Sequence, residues 1–202
     1  MNEMEKMQAG LEYCYDDEEI SLMKLHAIEN ANIFNSLAED DLERQHEVLS
    51  DILGSVGEKV WIAKRFCFDN GKNIHIGSNF TANFNLTILD IKEVYIGDNV
   101  MIGPNTTITT VGHPLSPKDR RAHLAQGSEI RIGNDVWLGA NVTILPGVTI
   151  GDNVVIGAGA VVTKDIPPNS LALGVPARVV KELENDLDNA DTGIFFQKST
   201  FK

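Results

Sequence analysis

Ile130-Arg131-Ile132-Gly133-Asn134-Asp135-Val136-Trp137-Leu138-Gly139-Ala140-Asn141-Val142-Thr143-Ile144-Leu145-Pro146-Gly147-Val148-Thr149-Ile150-Gly151-Asp152-Asn153-Val154-Val155-Ile156 carries an aliphatic side chain at every sixth position, at Ile132, Leu138, Ile144, Ile150 and Ile156, and the series continues to Val162. A second ladder runs two residues earlier, through Ile130, Val136, Val142, Val148, Val154 and Ala160. Neither a helix of period 3.6 nor an alternating strand produces two such ladders. The pattern is that of a β-helix built from six-residue units.

Each unit supplies one short strand and one corner, and three units close a coil. Strands of successive coils hydrogen-bond in parallel about 4.8 Å apart, so each aliphatic stacks on the one a coil later. A buried aliphatic contributes about 1.5–3 kcal/mol, while ordering each residue's backbone costs about 1–2 kcal/mol. One coil therefore cannot stand alone, and several must stack with their ends covered. Gly-Asp-Asn and Pro146-Gly147 fall where the chain turns, since Gly and Asn tolerate positive φ and Pro presets its own.

Outward from this stretch, Ile96, Ile102 and Ile108 continue the spacing upstream, and Ile76, Ala82 and Ile88 precede them, with two extra residues before Ile96. The β-helix is expected to begin near Val60 and end near Val175. Residues Asp16 to about Phe34 and Glu39 to Leu53 read as helices, the second with Leu42, Leu49, Ile52 and Leu53 on one stripe and Gly54 as a stop. The fold class is mainly β, with an N-terminal helical cap (1–57), a β-helix domain (58–180) and a short C-terminal helix and tail (181–202). Phe195-Phe196 is a candidate docking point in that tail.

One segment breaks the rhythm. Gly112 to Glu129 is polar, carries Pro114 and Pro117, and separates Ile108 from Ile132. It is read as a loop, 112–129, thrown out from a corner of the prism, and a loop this long inside a compact repeat is usually functional. His113 stands at its root between Gly112 and Pro114, a placement suited to catalysis. His26, His46, His75 and His123 read as structural or solvent-facing.

The formal charge of −12 disfavours nucleic acid and acidic membranes as partners. Lys164, Arg178 and Lys181 nevertheless cluster near the end of the repeat, where an anionic ligand could bind. The polar N-terminus has no apolar signal region, and Cys14 and Cys67 make no disulfide framework, so a cytoplasmic chain is expected.

The chain resembles the maltose and galactoside O-acetyltransferases of the hexapeptide-repeat acyltransferase superfamily. The likeness rests on Met7-Gln8-Ala9-Gly10, Val56-Gly57-Glu58, Asn73-Ile74-His75-Ile76-Gly77, Ala82-Asn83-Phe84-Asn85-Leu86-Thr87-Ile88, Gly112-His113-Pro114, Asn134-Asp135-Val136-Trp137-Leu138-Gly139, Val162-Thr163-Lys164-Asp165-Ile166-Pro167 and Gly174-Val175-Pro176-Ala177-Arg178-Val179. It covers nearly all the chain except the last stretch.

The resemblance implies a left-handed parallel β-helix assembled as a homotrimer, with active sites between subunits. It implies acetyl transfer from acetyl-CoA, as co-substrate and without a catalytic metal, to a sugar hydroxyl, commonly the 6-hydroxyl of a hexose. His113 then matches the general base, a role suited to imidazole, which can accept a proton near neutral pH. Asn83 matches a contact to acceptor and acetyl group, Asp69 and Asp90 match polar positions of the sugar pocket, and the backbone N–H at Ala140 matches an oxyanion donor. Trp137 and the backbone around Ala158 would meet the pantetheine arm, and Thr163, Lys164, Arg178 and Lys181 the adenosine and phosphates.

The likeness is incomplete. The early acid expected after Ala9-Gly10 is replaced by Cys14 and Tyr15, leaving Asp16 as the nearest candidate sugar contact. Asp69 favours the maltose type and Phe84-Asn85 the galactoside type. An amino sugar, serine or antibiotic as acceptor, and a catalytically silent trimeric scaffold, are the alternatives. A zinc site is disfavoured because His75, His113 and His123 do not fall in register.

Overall fold

The computed structural model describes residues 1–185. Helix α1 (Glu3–Gln8), strand β1 (Tyr13–Cys14) and helices α2 (Glu18–Ser36) and α3 (Leu42–Ile52) precede the repeat. Asp17 and Asp41 cap α2 and α3 by accepting backbone N–H bonds from the first turn. Both expected helices form, each beginning two or three residues late. The short α1, closed by a reciprocal capping box between Asn2 and Glu5, has no long-range period that would announce it.

Coil one comprises β2 (Ser55–Val56), β3 (Val60–Ile62) and β4 (Cys67–Phe68), so the β-helix starts one strand before Val60. Coil two comprises β5 (Ile74–Ile76), β6 (Phe80–Ala82) and β7 (Thr87–Leu89), and coil three β8 (Val94–Ile96), β9 (Met101–Ile102) and β10 (Thr107–Thr109). An excursion follows, made of β11 (Val111–Gly112), α4 (Pro117–Arg121) and β12 (Leu124–Gly127). Coil four then holds β13 (Ile130–Ile132), β14 (Trp137–Leu138) and β15 (Thr143–Ile144), and coil five β16 (Thr149–Ile150), β17 (Val154–Ile156) and β18 (Val161–Val162). A parallel bridge from Ile150 to Ile166 opens a partial sixth coil, continued by β19 (Ser170–Leu173).

The strands stack into three parallel sheets. The first is β2-β5-β8-β13-β16, the second begins β3-β6-β9-β14-β17-β19, and the third is β4-β7-β10-β15-β18. Ile132 pairs with Ile96 on one side and Ile150 on the other, Leu138 with Ile102 and Ile156, and Ile144 with Ile108 and Val162. Every member of both aliphatic ladders from Ile130 to Val162 is buried, and they join one core with Leu49 and Leu53 of the cap.

The corners divide the work expected of Gly-Asp-Asn. Positive φ falls on Asn79, Asn99, Asp135 and Asn153, between 53° and 58°, and not on the glycines beside them. Those glycines serve close approach instead. A Cβ on Gly97 would lie 2.8 Å from the carbonyl carbon of Gly133, and one on Gly133 equally close to that of Gly151. Along the same corner Asn134 N–H donates to Asp152 Oδ1 (2.6 Å), Asp98 N–H to Asn134 Oδ1 (2.8 Å) and Ser78 N–H to Asp98 Oδ1 (2.6 Å).

The end of the repeat departs from expectation. Arg178 to Glu182 form β20, an antiparallel strand on β19, so Lys181 and Glu182 are in a strand and not in a helix. The unpaired edge of the last coil leaves N–H and C=O groups that a folded-back strand satisfies and a helix would not. The remainder of the expected tail, with Phe195-Phe196, lies outside the described residues. No helix among the described residues is long and apolar enough to cross a membrane.

Candidate active site

Insertions concentrate at one corner of the prism, between the third sheet and the first. Phe68 pairs with Ile88 and Ile76 with Ile96, intervals of 20, whereas Ile132 pairs with Ile150 at an interval of 18. The two extra residues of coils one and two lie in the turns 69–73 and 90–93. In coil three the same corner opens into the excursion at 111–128. Asp69, Asp90 and His113 are thereby stacked along one edge.

The excursion is more ordered than the expected loop. Strands β11 and β12 form an antiparallel hairpin, with Gly112 opposite Gln126, and the short helix α4 sits at its tip. The free edge of β12 takes β1 from the cap, with Tyr13 opposite Ala125 and Cys14 opposite Leu124. Met7, Tyr13, Ile20, Ile91 and Ala125 form a second buried cluster beneath this three-stranded sheet. Thr110 fixes the hairpin root, its hydroxyl donating to Leu89 O (2.7 Å) and accepting from Lys92 N–H (2.9 Å). A segment without apolar period thus acquires order from the cap, which local sequence does not reveal.

His113 follows β11 and is exposed. Its Nδ1 lies 3.0 Å from Leu124 O across the hairpin. A carbonyl only accepts, so the bond places a proton on Nδ1, and in the neutral ring the lone pair then lies on Nε2. His113 borders a cleft of about 230 Å³ with Glu12, Gly112, Pro114, Gln126, Ser128 and Pro146. Tyr15 meets its ring edge to face, 5.4 Å between centroids, and stacks on His123 at 5.3 Å. Glu12, Tyr15 and the role of His123 escape sequence reasoning, because only the pairing of β1 with β12 brings Glu12 and Tyr15 to the hairpin on which His123 lies.

The acids of this corner differ sharply. Asp90 has no exposed surface, which corrects its reading as a direct lining of the sugar pocket. Its Oδ1 accepts from the N–H groups of Asp69 (3.0 Å) and Asn70 (2.9 Å), and its Oδ2 from Gly71 (2.7 Å), so it fastens the turn that carries Asp69. Burial pushes its pKa up to about 7 against the opposing pull of those three donors. Asp69 is raised by burial, with the Lys24 ammonium 3.9 Å away acting the other way. Burial, and secondarily the charge of Asp69, push the Tyr13 phenol up to about 12. Asp16 is exposed and its Oδ2 is 3.1 Å from His123 Nδ1, so its nearest partner is the hairpin imidazole.

The remaining expected residues gather elsewhere. Asn83, Ala140 and Ala158 follow β6, β14 and β17, at the corner between the second sheet and the third. Asn83 Oδ1 accepts from Phe84 N–H (2.9 Å), and Phe84 is exposed. The N–H groups of Ala140 and Ala158 enter no backbone hydrogen bond among the described residues, while Gly159 N–H donates to Ala140 O (2.8 Å). Gly103 and Gly139 keep this edge narrow, since a Cβ on either would fall 2.6 Å from the backbone nitrogen of Ala140 or Ala158. Trp137 projects from the adjoining face, 39% exposed, and with Thr81, Asn99 and Met101 lines a groove of about 350 Å³.

Thr163 and Lys164 follow β18 and are exposed, as are Arg178 and Lys181 on β20. The bond from Ala177 N–H to Val161 O (2.8 Å) sets the start of β20 beside β18, so these cations share one end of the prism. A single chain therefore places His113 on one corner and the Asn83, Ala140 and Ala158 group on another.

Comparison with known proteins agrees with this architecture. The family model described as bacterial transferase hexapeptide (six repeats) matches residues 129–164, and the maltose acetyltransferase hexapeptide capping motif matches residues 6–57. The galactoside O-acetyltransferase of Escherichia coli (strain K12) is 50% identical over 155 residues, 77% of this chain and 76% of that one. The crystal structure of a maltose O-acetyltransferase from Clostridium difficile 630 superimposes with a TM-score of 0.89 at 44% identity, covering 92% of this chain and 99% of that one. A galactoside acetyltransferase in complex with coenzyme A superimposes at 0.88 with 43% identity, over 98% of this chain and 97% of that one. With likeness of this depth along both cap and repeat, the chain belongs to the hexapeptide-repeat family of maltose and galactoside O-acetyltransferases.

Proposed function

We propose that this chain transfers the acetyl group of acetyl-CoA to a sugar hydroxyl, the 6-hydroxyl of a hexose unit, with His113 as general base. The observation that carries the reading is the His113 Nδ1 bond to Leu124 O, which in the neutral ring puts the lone pair on Nε2, with the ring exposed beside a cleft. Acetyl-CoA is a substrate consumed at each turnover, not a resident group. The groove beside Trp137 accepts an apolar pantetheine arm, the free N–H of Ala158 can donate to its amide oxygens, and Lys164, Arg178 and Lys181 supply positive charge for its phosphates, with Thr163 beside them.

A sugar hydroxyl is too weak an acid to attack a thioester unaided. His113 Nε2 takes its proton as the oxygen bonds to the thioester carbonyl carbon. The Ala140 N–H, left without a backbone acceptor, stabilises the oxyanion of the tetrahedral intermediate. The C–S bond then breaks, and the imidazolium returns its proton to the CoA thiolate, so no acyl-enzyme is needed. Asp69, on the turn that Asp90 fastens at the same corner of the prism, accepts sugar hydroxyls. Asn83 orients acceptor and acetyl group.

His113 and the Asn83–Ala140–Ala158 edge occupy different corners, so the complete site forms between two copies of the chain in a homotrimer. The exposed apolar residues Met101 (55%), Trp137 (39%), Val175 (71%) and Val179 (46%) give that assembly a surface to bury. Two free thiols suit the reducing cytoplasm in which acetyl-CoA is available.

The test is a thiol-release assay with acetyl-CoA across glucose, maltose, galactosides and amino sugars. His113→Ala is expected to lower turnover by at least about 10²-fold while leaving oligomeric mass and CoA affinity intact. Undiminished turnover in that variant would remove His113 from the role, and preference for an amine over every hydroxyl acceptor would remove the sugar-ester reading.

A further inference from the structure

We infer that Tyr15 is a positioning residue for His113 and that His123 is the support that holds Tyr15. The inference rests on the reading of His113 as base. Among the described residues the imidazole has one hydrogen bond, from Nδ1 to Leu124 O, and a single bond leaves the ring free to swing about it. The Tyr15 ring blocks that swing, meeting His113 at an interplanar angle of 76° and a centroid distance of 5.4 Å.

Tyr15 lies in the segment after β1, which is hydrogen-bonded to the hairpin that carries the base. Its N–H donates to His123 O (2.9 Å), and its ring lies over the His123 ring with an interplanar angle of 16°. His123 Nδ1 in turn faces Asp16 Oδ2 at 3.1 Å. Three aromatic rings thus run in contact from the exposed Asp16 to the base, one stacked pair and one edge-to-face pair, with Tyr15 from the cap and the two imidazoles from the hairpin.

His123 has a φ of 59°, in the left-handed region that glycine adopts without strain. It stands at the turn after α4, where its N–H bonds back to Arg120 O (3.1 Å), so glycine would satisfy that turn.

His123→Gly is consequently a clean probe, since it removes the ring and relieves the backbone. Tyr15→Ala removes the wall, and Tyr15→Phe keeps it without the hydroxyl. In the full-length enzyme, Tyr15→Ala and His123→Gly are expected to lower kcat about tenfold, with KM for acetyl-CoA within about twofold of the parent. Tyr15→Phe should stay within about twofold of the parent on both constants.

Nitrogen-15 NMR of the imidazoles supplies a readout that does not depend on turnover. The parent His113 should show the Nδ1–H tautomer, and the two disruptive variants a mixture with Nε2–H, at unchanged melting temperature. Support needs both the tautomer shift and the fall in kcat; unchanged kcat, an unchanged tautomer, or Tyr15→Phe as impaired as Tyr15→Ala each overturns the inference. Should the parent enzyme acetylate no sugar, the proposed function falls, while the tautomer populations still decide whether Tyr15 and His123 hold the ring.

Discussion

Asp90 shows how one buried carboxylate serves the site without meeting solvent. Three backbone N–H groups converge on it, and the turn they belong to presents Asp69. Replacement by Asn keeps the shape but turns an amide N–H₂ toward one of those donors, so Asp90→Asn is expected to destabilise by about 1–3 kcal/mol, read in chemical denaturation. The carboxyl also titrates. Its folded pKa of about 7 lies above the 3.8 of an unperturbed aspartate, so between those values the folded chain binds the additional proton. Its contribution to stability is therefore greatest below about pH 3.8 and is lost as pH rises toward 7. Denaturation midpoints compared between pH 5 and 8 should fall less steeply in Asp90→Asn than in the parent.

At the scale of elements, the glycine column Gly77, Gly97 and Gly133 governs how closely coils approach. Gly97→Ala would push a Cβ to 2.5 Å from Asn134 Oδ1 and 2.8 Å from the Gly133 backbone of the next coil, so main chain as well as side chain must yield. A loss of about 1–3 kcal/mol, visible as a lower melting temperature, is expected of such overpacking. Substitution of Gly112, whose Cβ would meet nothing within 4 Å, should leave melting unchanged.

The same elements explain which parts of the fold sequence reveals. Ile132, Leu138 and Ile144 announce their sheets because every coil repeats the burial demand at a fixed interval. The hairpin root at His113 is legible as an interruption of that interval. Strand β1 and the order within the excursion are not, because two residues, Tyr13 and Cys14, have no period, and their partners Ala125 and Leu124 lie over a hundred positions away. His123 looks ordinary in sequence for the same reason, and Asp90 reads as a ligand because composition cannot show that three donors already occupy it.

For the whole molecule, division of the site between two corners makes a prediction about mixed assemblies. His113→Ala and Asn83→Ala should each be inactive alone. If base and oxyanion edge come from different copies, refolding the two variants together at equal concentration should restore roughly one quarter of the sites. A site housed within one chain would regain none. Sedimentation should give a particle about three times the 22.1 kDa chain mass.

Confinement of every insertion to one corner leaves the other two edges with a constant pitch. Under the proposed function, acceptor choice and donor capture are written on separate parts of the column, and each can drift without disturbing the other. Exchange of 111–128 together with its cap strand between relatives should carry sugar preference along with it and leave thioester recognition where it was.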